Sequence, residues 1–297
     1  MFGGLGKKTD YRGFNRATLS TRQTGSSMKP LCVLVPGIDK KIITGASLVD
    51  DTKTTFKNLR NEDYSPKNNV SYLGTITLRR AVESSENVPF VSIMQKITPA
   101  TSIDYLKKMG ITTLTQKDAD LWLALGGLEK GISPLEMCGA YSTIANDGIY
   151  IEPTFYTKIT TSDNSLLVKH KQKNTKVISK STAYVIKKLL TQPVEGYYGT
   201  ATNCKIEGME VAAKTGTTDE NFDRWLCGFT NYYTAVTWYG YDYNEEIHYS
   251  ANPNPSSVIW SNVMRSIHSG KPNSSFEKPN DVQSFKICAD TRKLCKF

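Results

Sequence analysis

The chain reads as an α+β fold in which helices pack on an antiparallel sheet. Two patterns carry that reading. Capped or proline-started helical stretches crowd the front and middle of the chain. Towards the end come three runs rich in aromatic and β-branched residues, 210–217, 224–230 and 234–241, with only short turns between them. That is the pattern of an antiparallel meander. Of the 297 residues, 39% are hydrophobic and 22% charged, which excludes wholesale disorder and fibrous repeats. A chain of this length can bury about 75% of its unfolded surface, so it needs no disulfide or metal to fold.

The elements are expected in this order. Residues 1–25 are Gly- and Arg-rich and irregular. A helix starts near Ser26, runs through Leu31 to Val35 and ends at Pro36-Gly37. Residues 38–76 form an extended, loop-rich segment. Thr77 caps a short helix from Leu78 to Ser84. Pro89 fits the first turn of another, from Phe90 to Ile97, and a third spans Ser102 to Met109, stopped by Gly110. Ser133-Pro134-Leu135-Glu136 has capping-box spacing and opens a helix to about Asn146, ended by Asp147-Gly148. Residues 149–160 and 165–170 read as two strands around the turn Thr161-Ser162-Asp163-Asn164. Ser181 to Leu190 is helical. After the meander, Pro255 to Ser269 is the last helix. Residues 1–270 are expected as one domain and 271–297 as a C-terminal tail.

The net charge of +9 favours anionic partners in general. The densest basic run, Lys169-His170-Lys171-Gln172-Lys173 with Lys176, lacks interleaved aromatics, so it reads as a solvated hairpin arm and not as a nucleic-acid stripe. Six cysteines and three histidines show no CxxC or zinc-ligand spacing, so no metal is expected. Cys32, Cys138 and Cys227 lie in apolar segments and are expected as buried thiols. Cys288 and Cys295 are close enough in sequence to bridge, which spacing alone leaves open. No apolar run is long enough to span a membrane.

Three motifs carry chemistry. In Gly25-Ser26-Ser27-Met28-Lys29-Pro30, Ser26 and Lys29 are three apart and share one helical face. A serine at a helix start has its hydroxyl over the positive end of the dipole, and a lysine one turn on can take its proton if its own pKa is depressed. Chance stands against the tetrad alone, since Ser275 to Lys278 also fits it. Lys214-Thr215-Gly216-Thr217 lies on a strand. It offers a cation, two hydroxyls on one face, and a glycine that permits close backbone approach to a ligand. Ser85-Glu86-Asn87 lies between two helices and offers a hydroxyl and an amide. Alone it is weak, because 162–164 and 250–252 also match SxN.

SxxK, SxN and KTG in that order are the signature set of class A β-lactamases and penicillin-binding proteins. The flanks narrow the match. Arg12-Gly13-Phe14-Asn15-Arg16-Ala17 with Gln23 to Pro30 resembles "FNRAT…RQPGSSFKP", and Asn87-Val88-Pro89 resembles "NVPA". Ala124 to Leu128 with Gly131 to Glu136 resembles "ALGG…GVSPLEMA.AY". Lys214 to Thr218 followed by Arg224 to Thr230 resembles "KTGTT…DAWFVGYT". Over about residues 2–240, and loosely in the tail, the chain resembles the transpeptidase domain of a class A bifunctional penicillin-binding protein.

The resemblance implies a penicillin-binding/serine β-lactamase-like fold: an antiparallel sheet flanked by helices, with an all-helical subregion. It implies Ser26 as nucleophile, Lys29 as its base, Ser85 as proton relay and Lys214 as a cation that depresses Lys29. Asn87 would orient the substrate amide. Thr215, Gly216 and Thr217, with Lys214, would hold the terminal carboxylate, and the Ser26 and Thr217 amides would form the oxyanion hole. No cofactor is implied. The implied partners are peptidoglycan stem peptides ending in D-Ala-D-Ala and β-lactam antibiotics, with no nucleic acid. The implied place is the outer face of the bacterial cytoplasmic membrane, reached through an anchor outside this sequence. The family's glycosyltransferase domain and the strand expected before Gly3-Gly4 are absent from the sequence, so the sheet is expected to lack that strand or to borrow it. Thr24 replaces a proline and Met28 a phenylalanine of the family pattern. Three rivals remain: a β-lactamase, a penicillin-sensing domain without turnover, and a basic binding module without catalysis.

Overall fold

The computed structural model describes residues 4, 11, 13–68, 71–248 and 253–285. A short helix absent from the sequence reading, α1 (Arg16–Leu19), is capped by the Asn15 side chain, which accepts from Ala17 N. The single helix expected from Ser26 to Val35 is three windings in series. A 3₁₀ turn covers Gly25–Met28, a π turn covers Pro30–Leu34, and α2 (Val35–Asp39) follows. Pro30 is the physical reason. It brings no N–H to the ladder, and Val35 N reaches back five residues to Pro30 O. Met28 and Leu31 to Val35 are nevertheless wholly buried, so the irregular winding sits in the core.

Residues 38–76 contain two small antiparallel pairs that the sequence did not announce. β1 (Leu48–Asp51) pairs with β4 (Gly74–Thr77), and β2 (Phe56–Lys57) pairs with β3 (Asp63–Tyr64). Strands this short carry too few alternating positions to register as a pattern. α3 (Leu78–Ser84) starts at Thr77 as expected, with the Thr77 side chain accepting from Arg80 N. α4 (Val88–Ile97) carries Pro89 in its first turn. α5 (Pro99–Lys108) begins earlier than the expected Ser102, because Thr98 accepts from Thr101 N as the cap and Pro99 takes the first position. Ser102 lies inside the helix and donates to Cys32 O at 2.6 Å, tying α5 to the core winding.

α6 (Pro134–Ala145) opens on the capping box, Ser133 and Glu136 each bonding the other's backbone N–H. The strand expected over 149–160 is two strands, parted around Pro153, which cannot join a ladder. β5 (Ile149–Ile151) pairs with an unexpected β8 (Asn174–Lys176), while β6 (Lys158–Thr160) pairs with β7 (Leu166–Lys169). β6, β7 and β8 are exposed along their whole length, so the basic run is a solvated arm. α7 (Lys180–Leu190) and α8 (Gln192–Glu195) lead to the sheet.

β9 (Ala212–Thr217), β10 (Asp223–Phe229) and β11 (Thr234–Gly240) form an antiparallel meander in the order β11-β10-β9. Side chains alternate between its faces. Trp225, Cys227 and Phe229 join the main helical core, with Met28, Leu31 and Tyr141. Leu226 and Ala213 face the other way, against Trp260 and Met264 of α9 (Pro255–His268). The sheet is therefore covered on both faces and its outer strand β9 borders the cleft described below. Beyond α9 the chain returns to the body: Phe276 is buried in the main core and Glu210 N donates to Ser274 O. Cys32 and Cys227 are buried, as is Cys204, which the sequence did not single out; Cys138 is half-buried. Cys288 and Cys295 lie outside the described residues. Among the described residues no helix is long and apolar enough to cross a membrane.

Candidate active site

The three motifs meet along one cleft of about 1210 Å³, whose lining includes Ser26, Ser85, Asn87, Thr215 and Thr217. Ser26 is half-buried and occupies the second position of the 3₁₀ turn, not a helix cap. Its hydroxyl makes no side-chain hydrogen bond to any described residue. The neighbouring Ser27 is buried and donates to Thr24 O at 2.7 Å, so only one of the two serines is free for chemistry.

The backbone on either side of Ser26 is held by residues that the flanking motifs supply. Arg22 exchanges two backbone hydrogen bonds with Ile132. Gln23 bonds both polar groups of Leu128, just after Gly126-Gly127, and Gln23 O accepts from Trp225 Nε1 at 2.7 Å. Tyr141 of α6 donates to Ser27 O at 2.6 Å. A buried ion pair, Arg22 Nε to Asp223 Oδ1 at 2.8 Å, ties the same segment to the start of β10, and Trp238 Nε1 donates to that oxygen too.

Two glycines fit these strands together. Gly25 has φ +53°, and a Cβ there would lie 2.3 Å from Thr217 O. Gly216 was expected to admit a ligand to the backbone; instead a Cβ on it would lie 2.3 Å from Thr24 O. Its smallness lets β9 press against the Ser26 segment, because the strand's inner face is filled by protein. Gly25→Ala should therefore cost about 2 kcal/mol or more of stability, from positive φ and overpacking together, read by urea unfolding; an unchanged midpoint would contradict this geometry. Thr24, at the family's proline position, is wholly buried and its hydroxyl has no partner.

Lys29 is completely buried. Its Nζ donates to Ser85 O at 2.8 Å, Ser85 Oγ at 3.2 Å, Glu86 O at 3.0 Å and Asn87 Oδ1 at 2.7 Å, with the Phe90 ring 5.0 Å away. The SxxK lysine is thus bonded to the SxN segment and not to Ser26. Burial pushes its pKa well down, and the charge of Lys214 pushes the same way. Lys214 is also wholly buried, and burial lowers it to about 7. Lys214 lies on the inner face of β9, opposite Cys227, and its Nζ donates to Thr215 O at 3.0 Å.

Ser85 caps α3 in the left-handed conformation, φ 64° and ψ 41°, a strained state for serine that turns its hydroxyl towards Lys29. Asn87 is fixed at both ends: its N–H donates to Asn68 Oδ1 at 2.9 Å, and its Nδ2 donates to Lys67 O. Asn68 is held by the buried Asp51, which also accepts from Leu73 N. Sequence reasoning missed Asn68 and Asp51, and no local signal marks them, since they act through a loop folded back on the site. Thr215 donates to Thr200 Oγ1 at 2.9 Å, and Thr200 was likewise unmarked. Chemically, the arrangement offers a free hydroxyl on the cleft wall, two buried amines of depressed basicity on the SxxK and KTG segments, and a fixed amide.

A profile of the penicillin binding protein transpeptidase domain matches residues 6–252. Penicillin-binding protein 1F of Bacillus subtilis (strain 168) is 35% identical over 289 residues, which are 95% of this chain and 38% of that relative's length. Penicillin-binding protein 1A from Haemophilus influenzae superposes with a TM-score of 0.82 at 24% identity, covering 95% of this chain and 48% of that one. The PonA1 protein from Mycobacterium tuberculosis, solved in complex with penicillin V, superposes with a TM-score of 0.78 at 24% identity, covering 92% of this chain and 76% of that one. The two structures share the fold, helices on an antiparallel sheet. The chain spans well under half the length of the curated relative it matches.

Proposed function

Because the chain belongs to the penicillin-binding-protein transpeptidase family, we propose that it is the catalytic part of a peptidoglycan D,D-transpeptidase, acylated at Ser26 by stem peptides and by β-lactams. Ser26 Oγ attacks the carbonyl carbon of the penultimate D-alanine, and its proton passes to neutral Lys29. The carbonyl π electrons move onto oxygen, where the Ser26 and Thr217 amides stabilise the charge. The C–N bond then breaks, and the departing D-alanine nitrogen takes a proton relayed through Ser85. An amine from a second stem peptide attacks the ester, releases Ser26 Oγ and forms the cross-link. Asn87 orients the donor amide, and Thr215 and Thr217 engage its terminal carboxylate. The chemistry belongs on the outer face of the bacterial cytoplasmic membrane, where peptidoglycan is assembled.

One observation carries this reading. Lys29, three residues from Ser26, reaches both Ser85 Oγ and Asn87 Oδ1 at hydrogen-bond distance, so two motifs distant in sequence share one proton network on the wall that bears Ser26. A serine with no histidine partner needs such a lysine network to lose its proton. The relative solved with penicillin V supports the β-lactam part. A β-lactamase would have to activate water for deacylation, and turnover of nitrocefin tests for it.

The test is intact-mass analysis after incubation with benzylpenicillin, followed by peptide mapping, alongside aminolysis of a thioester stem-peptide analogue. One long-lived adduct on Ser26 and amine-dependent release of the thiol are expected. Absence of an adduct would end the proposal, and fast nitrocefin turnover would move it to the β-lactamase reading.

A further inference from the structure

Part of the cleft wall comes from residues with no role in the steps above. Arg60 and Trp122 both lie on it. The Arg60 guanidinium stands over the Trp122 ring, 5.7 Å from its centroid. Arg60 belongs to the turn between β2 and β3, and that turn is fixed by the buried Asn58. The Asn58 side chain accepts from Arg60 N at 2.9 Å and from Glu62 N at 2.8 Å, and its Nδ2 donates to Glu62 Oε2 at 2.9 Å. Asn61 adopts the left-handed conformation that closes the turn, φ 61°. The turn thus uses the backbone of Arg60 and leaves its guanidinium to the cleft.

Two connections tie this shelf to the reacting groups. The chain leaves β3 and runs directly to Lys67 and Asn68, which hold Asn87. Trp122 lies just ahead of Gly126, where a Cβ would come 2.3 Å from Gly25 O, beside Ser26. The charge of Arg60 is also free. Among the described residues it forms no ion pair, whereas Lys117 on the same wall is paired with Glu129 at 2.6 Å and Arg224 donates to Thr217 Oγ1 at 3.4 Å. Asp118, Asp219 and Glu220 line the cleft as well. A substrate carboxylate away from the D-alanine end therefore meets repulsion unless a cation faces it.

From this geometry we infer that the Arg60–Trp122 shelf binds a second carboxylate of the donor stem, the free α-carboxylate of a γ-linked D-glutamyl residue, and so favours stems in which that group is not amidated. This rests on the transpeptidase reading and adds a substrate preference to it. The D-glutamyl residue precedes the D-alanines in a stem, so on the proposed path it lies beyond the amide that Asn87 orients. A guanidinium suits the task because its planar fork matches a carboxylate with two parallel hydrogen bonds. Stacking on the indole restrains that fork before the substrate arrives, which lowers the ordering cost of binding.

The test uses two thioester stem analogues that differ only at the D-glutamyl α-carbon, one bearing the free carboxylate and the other its amide. Thiol release by the full chain gives kcat/KM for each. The wild type should favour the acid about 10-fold, the size of one charge-assisted hydrogen-bonded pair. In Arg60→Ala that ratio should fall to about 1, through a loss with the acid. Arg60→Lys, which keeps the charge without the fork, should give a ratio between the two. A wild type with no preference for the acid, or an Arg60→Ala variant that loses rate equally with both analogues or with neither, would overturn the inference. Benzylpenicillin separates this from the underlying reading. A wild type that forms no Ser26 adduct refutes the transpeptidase proposal, whereas a normal adduct with an acid-to-amide ratio of 1 refutes only the second carboxylate site.

Discussion

The Ser26→Ala protein should gain no mass from benzylpenicillin, and its turnover of a thioester donor should fall by about 10⁶-fold. The size of the loss follows from the chemistry. With no nucleophile there is no acyl-enzyme, and what remains is the pull of the backbone donors on a bound carbonyl, good for about 10³–10⁴ over water in the comparable serine enzymes. The variant should fold normally. The Ser26 hydroxyl bonds no described side chain and lies on the cleft wall, so its removal should change stability by less than about 0.5 kcal/mol. A clean loss of labelling at an unchanged melting temperature therefore reads on chemistry alone. Ser27 cannot substitute, since it is buried and donates to Thr24 O. Ser85 is the other serine on the wall, already strained and bonded to Lys29. An adduct that persists in Ser26→Ala and maps to Ser85 would move the nucleophile there and leave the rest of the geometry without its assigned use.

What the sequence made legible was local. The cap at Thr77, the box at Ser133–Glu136 and the three meander strands each rest on residues within a few positions of one another, and each appears where those residues place it. The winding after Ser26 is not the single helix that the sequence predicts from Ser26 to Val35. Pro30 brings no N–H to the turn before it, and the bond from Val35 N to Pro30 O closes a π turn after it. Gly216 was assigned to a ligand because a strand glycine signals close approach but not what approaches. Here the neighbour is Thr24 O. Asp51 and Asn68, which fix Asn87, belong to a loop whose return to the site depends on tertiary packing alone.

Replacing Lys29 by methionine, which keeps the length and removes the amine, should lower acylation by about 10³- to 10⁴-fold, the range for loss of a positioned general base. It should also change how the protein responds to pH. In the wild type, acylation should rise with pH as Lys29 loses its proton, and the midpoint should lie well below that of an ordinary lysine, because burial and then the charge of Lys214 both disfavour the ammonium. Since Lys214 itself titrates near 7, the two amines lose protons as a coupled pair, and the profile reports the pair. Removing the Lys214 amine with Lys214→Met should therefore move the rising limb to higher pH and slow acylation at neutrality. Stability carries the same signature. Both lysines have folded pKa values below the unfolded value of about 10.4, so the unfolded chain binds more protons in that interval and stability should rise with pH from about 7 to about 10. A lysine held by a salt bridge would give the opposite slope. Lys29→Met should flatten the rise, while leaving Ser85 O, Glu86 O and Asn87 Oδ1 without the donor that now joins them, at a cost of about 1–3 kcal/mol for each one that water cannot reach. Urea unfolding across that pH interval, with stopped-flow acylation at the same points, measures both effects. Acylation by Lys29→Met at the wild-type rate, or a wild-type profile flat across the interval, would remove Lys29 from the proton path.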